Sequence, residues 1–480
     1  MTRINTNVPA LTALSQLRRS GNSLQTTLQR LSSGLRINRG ADDPAGLIVS
    51  ENLRSEIAGI RQAIANSQRA SNIVATSEGA LNEVAALLND IQDLIIEAAN
   101  TGGVSAEEIR ANQLQIDSAI ESITRIANST RFSGRRLLDG SLEYILSGVS
   151  AANLANVQIH NVTFGTAAFV PVNVEIVQSA QRGQLFFATS QVGQAVDIEV
   201  AGNNGVVSLS FAAGTPASAI REGINQVSDA TGVTARFING ANPASGLVIE
   251  STAYGSDAFV QVTALGSSPG TFPVEDAGGS SVIRDEGRDV RVSVNGASAL
   301  GAGLDVKLNT AGLSFSFTVQ EAFNSSGTTR FAVTGGGATF QLGGGISSNE
   351  QKSFGLTSVA ATRLGDSMLG FLSQIADGQQ YSIVNGQAAT AQKIVAAAIQ
   401  QIAALRGRLG AFEKNTLETN IAQLQITLEN LTSSESVIRD VDFAAETSQL
   451  TRNQILQQAG LSVLAIANQT PSNVLQLLQG

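Results

Sequence analysis

The stretch Gly-Ser-Ser-Pro-Gly at 266–270 has the Gly-x-Ser-x-Gly spacing of a nucleophile elbow, which would set Ser268 up for acyl transfer. In that turn the residue after the serine donates its backbone N–H to the oxyanion, and here that residue is Pro269, which has none. The single histidine, His160, precedes the serine, against the chain order of the motif. The stretch is therefore read as a Gly/Pro turn, and His160, beside Ile159 and Val162, as an ordinary strand residue. Zero cysteines remove disulfides, thiolate catalysis and Cys-ligated metals together. One histidine excludes a two-His zinc motif and leaves any metal site to carboxylates alone. No Gly-x-Gly-x-x-Gly follows a strand, no P-loop lysine occurs, and the triple glycines starting at Gly335 and Gly343 sit in β texture. The run Arg284 to Asp289 alternates in sign and reads as a solvated loop. Among 39 acidic residues nothing singles out a pair. No catalytic, cofactor-binding or metal-ligating residue is assigned, and the chain is expected not to be an enzyme.

Charge excludes further classes. The net charge of -9 argues against attraction to nucleic acid or an anionic membrane, both of which reward a basic field. Its distribution is uneven: Arg3, Arg18, Arg19, Arg30, Arg36 and Arg39 precede the first acid, Asp42, whereas Asn453 to Gly480 carries no charge at all. The basic end lacks the stacking aromatics of a single-strand binder. No secretory signal is visible at the N-terminus and no window reaches the roughly 18 apolar residues of a membrane span. The expectation is a cytoplasmic protein or one exported without a signal peptide.

The elements explain what the chemistry does not. At 480 residues the chain should hold at least three structural units. From Ala10 a heptad seam runs through Leu14, Leu17, Gly21, Leu24, Leu28, Leu31 and Leu35, the pattern of a helix seeking a partner helix. Asp43 and Pro44 read as the N-cap and first residue of a second helix reaching about Asn100. Ser105 and Glu108 make a capping box for a third, ending near Asn128. From Ala388 to about Ser434 two apolar runs are offset by a five-residue step between Phe412 and Leu417, a stutter that predicts a straight bundle. After a break at Ser433 to Ser436, a last helix is expected from about Phe443 to Asn468, with a short turn or helix from Pro471.

Between these ends, roughly 140 to 385, most of the prolines, all three tyrosines and runs such as Val206 to Phe211, Gly246 to Ser251 and Asp289 to Val294 predict strands. One helix, Pro216 to Ser228 with Thr215 as N-cap, interrupts them, and a linker is read near Pro269 to Gly279. The fold class is α+β multidomain, long terminal helices pairing around an inserted β-rich middle. Ordering roughly 40 residues at each end costs about 1 to 2 kcal/mol per residue, which an isolated helix cannot offset. The ends therefore call for an assembly of copies. Gln, Asn and Ser can satisfy one another there without the desolvation cost of charge, and Ala459, Gly460 and Ala465 admit close neighbours.

The blocks Ile4 to Leu11, Leu31 to Leu47 (LSSGLRINRGADDPAGL) and Glu78 to Glu83, with Asn430 to Glu446 and Ser448 to Leu478 at the other end, resemble bacterial flagellin in order and spacing. The resemblance implies a subunit exported unfolded through the flagellar type III apparatus and polymerised helically into the extracellular hollow filament that drives swimming. It implies 1–43 with 440–480 as an inner coiled coil, 44–180 with 336–439 as a helical bundle domain with a β-hairpin, 181–275 as a β-rich outer domain with one helix, and 276–335 as a second. Thr339 to Gly345 resembles the return into the inner layer, and Val206 to Ser251 a module recurrent in outer regions. Self-assembly is assigned to Leu14, Leu17, Leu24, Leu28, Leu31 and Leu35, and to Ile455, Leu456, Ala459, Val463 and Ile466. Implied partners are identical copies, an export chaperone, and the hook-associated junction and cap proteins, with no nucleic acid, membrane or cofactor.

One departure concerns Leu88 to Asn100, where some flagellins carry an Arg-containing segment recognised by the vertebrate innate-immune flagellin receptor. Asp90 and Gln92 stand at the arginine positions, beside Asp93, while Leu94 is retained; weak or absent receptor activation is expected, since reversing a charge in a desolvated interface costs several kcal/mol. The alternatives are a hook–filament junction protein, which resembles flagellin at its ends, and a flagellin whose residues 180 to 335 bind glycans or house a carboxylate hydrolase.

Overall fold

The computed structural model describes residues 6–165, 167–266, 272–310 and 312–479, with the backbone alone from 470 onward; Ser268 and Pro269 lie outside the described residues. The chain forms two compact units, one of Met1–Ala70, Gln341–Ile346 and Lys414–Gly480, the other of Ser71–Phe340 and Ser347–Glu413. The model contains long terminal helices and a β-rich middle.

In the first unit, helix α1 (Val8–Ser33) is capped by the Asn7 side chain, which accepts from the Ala10 N–H, and ends on Gly34 in the left-handed region. Helix α2 (Pro44–Ala99, 56 residues) belongs to this unit up to Ala70 and to the other from Ser71. Its start is fixed by Asp43, whose carboxylate accepts from the Gly46 N–H at 2.9 Å. Ile57, Ile60, Ala63, Ser67 and Ala70 form its buried stripe here. A Cβ at Gly59 would stand 2.8 Å from the Gly344 carbonyl, so the glycine loop 343–345 lies directly on helix backbone.

Helix α3 (Ala106–Ser129) carries the expected capping box. Its buried Gln113 is fully used: the amide donates to Asp117 and to the Ile375 carbonyl, and its oxygen accepts from Ser382 and the Ile383 N–H. In this second unit the apolar stripes of α2 (Val74, Leu81, Leu88, Ile95), α3 (Ile116, Ile120, Ile123) and the late helix Ala388–Phe412 (Ile394, Val395, Ile402, Leu409) are buried.

The strands form two cores. An eight-stranded antiparallel sheet has the order Tyr144–Ser147, Thr328–Gly336, Val170–Gln178, Arg291–Val294, Ala297–Ala302, Asp305–Asn309, Leu313–Val319, Leu154–Val162. Alternate residues (Val172, Val174, Ile176; Phe315, Phe317, Val319) point into one core, where Phe315 stacks on Phe317 at 5.3 Å and meets Phe331 edge-on. A second core joins a three-stranded sheet (Gln184–Phe187, Leu247–Ser251, Val233–Phe237) and a four-stranded one (Arg284–Glu286, Phe259–Leu265, Val196–Gly202, Gly205–Phe211) to helix α4 (Ala217–Gln226) and the single turn α5 (Ser228–Thr231). The first sheet takes strands from 144–178 and from 291–336, so the boundaries drawn at 180 and 276 cut across its hydrogen bonding, and strand Arg284–Glu286 belongs with the smaller core. Pro216 occupies the N-cap position of α4 expected for Thr215; the Thr215 hydroxyl donates to the Ala212 carbonyl instead.

Helix α6 (Ala388–Phe412), a π-helical stretch Glu413–Glu418 and α7 (Thr419–Arg439) run without interruption. The five-residue step from Phe412 to Leu417 falls in the π-helical turn, whose wider i→i+5 spacing brings Leu417 back to the buried face. The expected break at Ser433 to Ser436 is absent, because Ser434 bonds back to the Asn430 carbonyl within the helix. The chain turns at Asp440, bridged to Leu35, and Asp442 caps α8 (Phe443–Gln479) through the Ala444 and Ala445 N–H groups. Helix α8 also passes through Pro471, which removes one backbone bond without ending it.

Candidate assembly surface

Helices α1 and α8 lie antiparallel, with Asn7 donating to the Ala467 carbonyl at 2.8 Å at one end and Arg30 3.9 Å from Glu446 at the other. On α1 the fully buried positions are Ala13, Ser20 and Thr27, one every seven residues, alternating with half-buried Ala10, Leu17, Leu24 and Leu31. On α8 they are Asn453 and Ala467, and with half-buried Glu446, Leu450, Gln457, Gly460 and Leu464 they form one line in steps of three and four. The Asn453 amide donates to the Thr27 hydroxyl at 3.2 Å, and a Cβ on Gly460 would meet Leu17 at 3.4 Å. The buried line of the intramolecular seam is thus small or hydrogen-bonded residues, with half-buried leucines between them.

Most of the large apolar residues assigned from the sequence stand beside or outside that seam. Leu14, Leu17, Leu24, Leu31 and Leu35 are half-buried, whereas Leu28 is 49% exposed. Ile455 (61%), Leu456, Ala459, Val463 (54%) and Ile466 are exposed. Helix α1 carries two interlocked heptads sharing Leu17, Leu24 and Leu31: the one through Ala13, Ser20 and Thr27 is buried, and in the other Leu14 and Gly21 are half-buried and Leu28 is exposed. The signal in the sequence is the seven-residue repeat of small residues, Ala13, Ser20 and Thr27, which lets the two helix backbones approach.

In the segment around residue 90, Leu88, Ile91 and Ile95 are fully buried while Asp90 and Asp93 are exposed and Gln92 and Leu94 half-buried. The two carboxylates are on the solvent side of α2.

Residues 4–143 match the family model of the bacterial flagellin N-terminal helical region, 392–478 that of the flagellin C-terminal helical region, and 195–253 the flagellin hook IN motif. The chain is 30% identical over 512 residues to the B-type flagellin of Pseudomonas aeruginosa, covering 99% of each. This chain belongs to the flagellin family. It is also 29% identical over 504 residues to a flagellin of Salmonella rubislaw, and 28% identical over 478 residues to the flagellin of Bacillus subtilis, with 99% of this chain covered in both. As a flagellin it is a structural subunit of the extracellular bacterial filament. No helix among the described residues is long and apolar enough to cross a membrane, and no group of three or more His, Asp and Glu among them could hold a metal ion.

His160 has more structure around it than an ordinary strand residue. Its Nδ1 meets the Arg408 guanidinium of α6, which can only donate, so Nδ1 accepts and the proton sits on Nε2, 3.1 Å from the Ser316 hydroxyl. Burial first, then the neighbouring Arg408 and Lys307 charges, pull the imidazole down from 6.5 to about 3. The unfolded chain therefore binds the proton more readily in that window: this contribution is complete above pH 6.5 and is lost as the pH falls toward 3. A denaturant series in this flagellin should show a loss of up to about 1.4 kcal/mol per pH unit from this ring, absent in His160→Gln. An unchanged pH slope in the variant between 6.5 and 5.5 would remove His160 from the account.

Proposed function

We propose that copies of this flagellin polymerise helically into a hollow filament through the faces of α1 and α8 that the intramolecular seam leaves uncovered. The observation that carries the reading is the set of large apolar residues left exposed on these helices: Val8, Leu11 and Leu28 on one, Ile455, Leu456, Leu461 and Val463 on the other. Apolar surface returns about 25 cal/mol per Å² when covered, so exposed large apolar side chains on both terminal helices favour a covering partner. From Asn453 onward α8 carries no charge, so a second copy can close on it without desolvating an ion. Leu14, Leu17, Leu24, Leu31 and Leu35 border this face, and Ala459 admits close approach.

In this reading 1–43 with 440–480 form the inner layer and the helical parts of 44–180 and 336–439 the layer around it, while the β-rich exterior divides between its two cores rather than at 180 and 276, since the eight-stranded sheet draws strands from both sides of those positions. Export is through the flagellar type III apparatus, unfolded and chaperone-bound, with junction and cap proteins at the two ends of the filament. A chain without cysteine suits threading and assembly outside the cell, since it has no thiol to cross-link. The role is structural rather than enzymatic.

Seeding purified monomer with filament fragments tests the assembly face. The full chain should elongate, a copy truncated before Asp440 should not, and Val463→Asp should slow elongation at least about tenfold, because it buries an unpaired carboxylate, while leaving the far-UV circular dichroism of the monomer unchanged. Normal elongation of Val463→Asp would move the contact elsewhere.

The exposed Asp90 and Asp93 also support weak recognition by the innate-immune flagellin receptor. Reporter cells should respond poorly to the native chain and better to the Asp90→Arg, Gln92→Arg double variant; a full-strength native response would refute the reading.

A further inference from the structure

Arg408 is the one strand-facing cation of α6 that meets His160, and its charge is not matched. Its Nε is buried with no hydrogen-bond partner, one Nη donates to neutral His160, and among the described residues no carboxylate lies within ion-pair distance of it. Burial draws it down to about 10, still charged at neutral pH, with no acidic group acting in the other direction. A desolvated guanidinium in that position costs several kcal/mol unless an anion compensates it.

The space for one is present. Arg408 lines a cleft of about 270 Å³ together with Arg363, Asn156, Gln158, Ser358 and Gln401. Among the described residues the only carboxylate in its wall, Glu143, is taken by Arg363 at 3.3 Å, so two guanidiniums against one carboxylate leave the cleft one positive charge in excess. Gln401 is occupied by the backbone of Gly365, and Asn156 by Ser367. Ser358 accepts from the Ala360 N–H and retains its own proton to donate. Donors outnumber free acceptors, and the volume suits a carboxylate, phosphate or sulfate group.

We propose that this cleft is an oxyanion site, with Arg408 as the principal partner and Arg363 and Ser358 as flanking donors. The oxyanion is either a free phosphate-type ion or a carboxylate from a neighbouring copy of the chain; only the second source rests on the filament reading.

Because His160 is the only histidine and touches Arg408, its ring is a single built-in reporter. Full-length monomer labelled with ¹⁵N-histidine would be titrated with sodium phosphate, the ionic strength held constant with chloride. A saturable shift of the His160 ring signals is expected, abolished in Arg408→Gln and weakened several-fold in Arg363→Gln; should the first variant not fold, the second decides alone. If phosphate leaves the monomer signals unmoved, solid-state spectra of assembled filaments provide the other arm. A shift on assembly that Arg363→Gln lacks assigns the oxyanion to a neighbour's carboxylate. Ring signals that respond to neither phosphate nor assembly, or that respond equally in native and variant chains, overturn the site. Filament growth is measured separately by seeding, so loss of the site and loss of the filament reading are distinguishable.

Discussion

Close approach of two antiparallel helix backbones is the constraint on which the terminal unit rests. Helix α1 lies against α8 along a buried line of small and polar residues, Ala13, Ser20 and Thr27 on one side and Asn453 and Ala467 on the other, with half-buried leucines between them and Gly460 making room for Leu17. Asn453 donating to Thr27 fixes the register, since a buried amide shifted by one turn loses its partner. The seam takes in Leu17, Leu24 and Leu31 only in part, and a subunit built this way leaves Leu28, Ile455, Val463 and Ile466 exposed at its own ends.

Much of this was legible from the sequence. The caps at Asp43 and Ser105, the long α2 and the switch to strands follow from local rules that tertiary context did not override. The five-residue step at Phe412 was visible as a phase change, but its resolution as a π-helical turn depends on covering Leu417, which is a property of the packed state. The Ser433 to Ser436 break failed because serines can bond back to their own helix, and the turn falls instead at Asp440, where Leu35 pairs with it. Topology in the middle was beyond reach: nothing local says that Val170–Gln178 must pair with Arg291–Val294 more than a hundred residues later.

The assembly residues were half legible. Heptad spacing marked α1 and α8 as helices in need of a partner, and within one chain they pair with each other, with the buried line one position away from the leucine seam, at Ala13 and Ser20 rather than Leu14 and Gly21. His160 shows the same limit from the other side. Type and neighbours made it an ordinary strand residue; only the fold brings Arg408 of α6 against it and leaves a buried, unmatched cation beside a polar cleft.

The most direct measurement is a disulfide across the proposed seam in a chain that has no other thiol. In Leu17→Cys, Gly460→Cys the two Cβ atoms would be 3.9 Å apart, within the roughly 3.5 to 4.5 Å that a disulfide requires. Oxidised filaments, dissolved and run on a denaturing gel, should contain faster-migrating monomer with an internal cross-link and little dimer. Predominant dimer, or free thiols in both positions, would mean that α1 and α8 of one chain do not form this seam in the assembled state, and would contradict the account at its base.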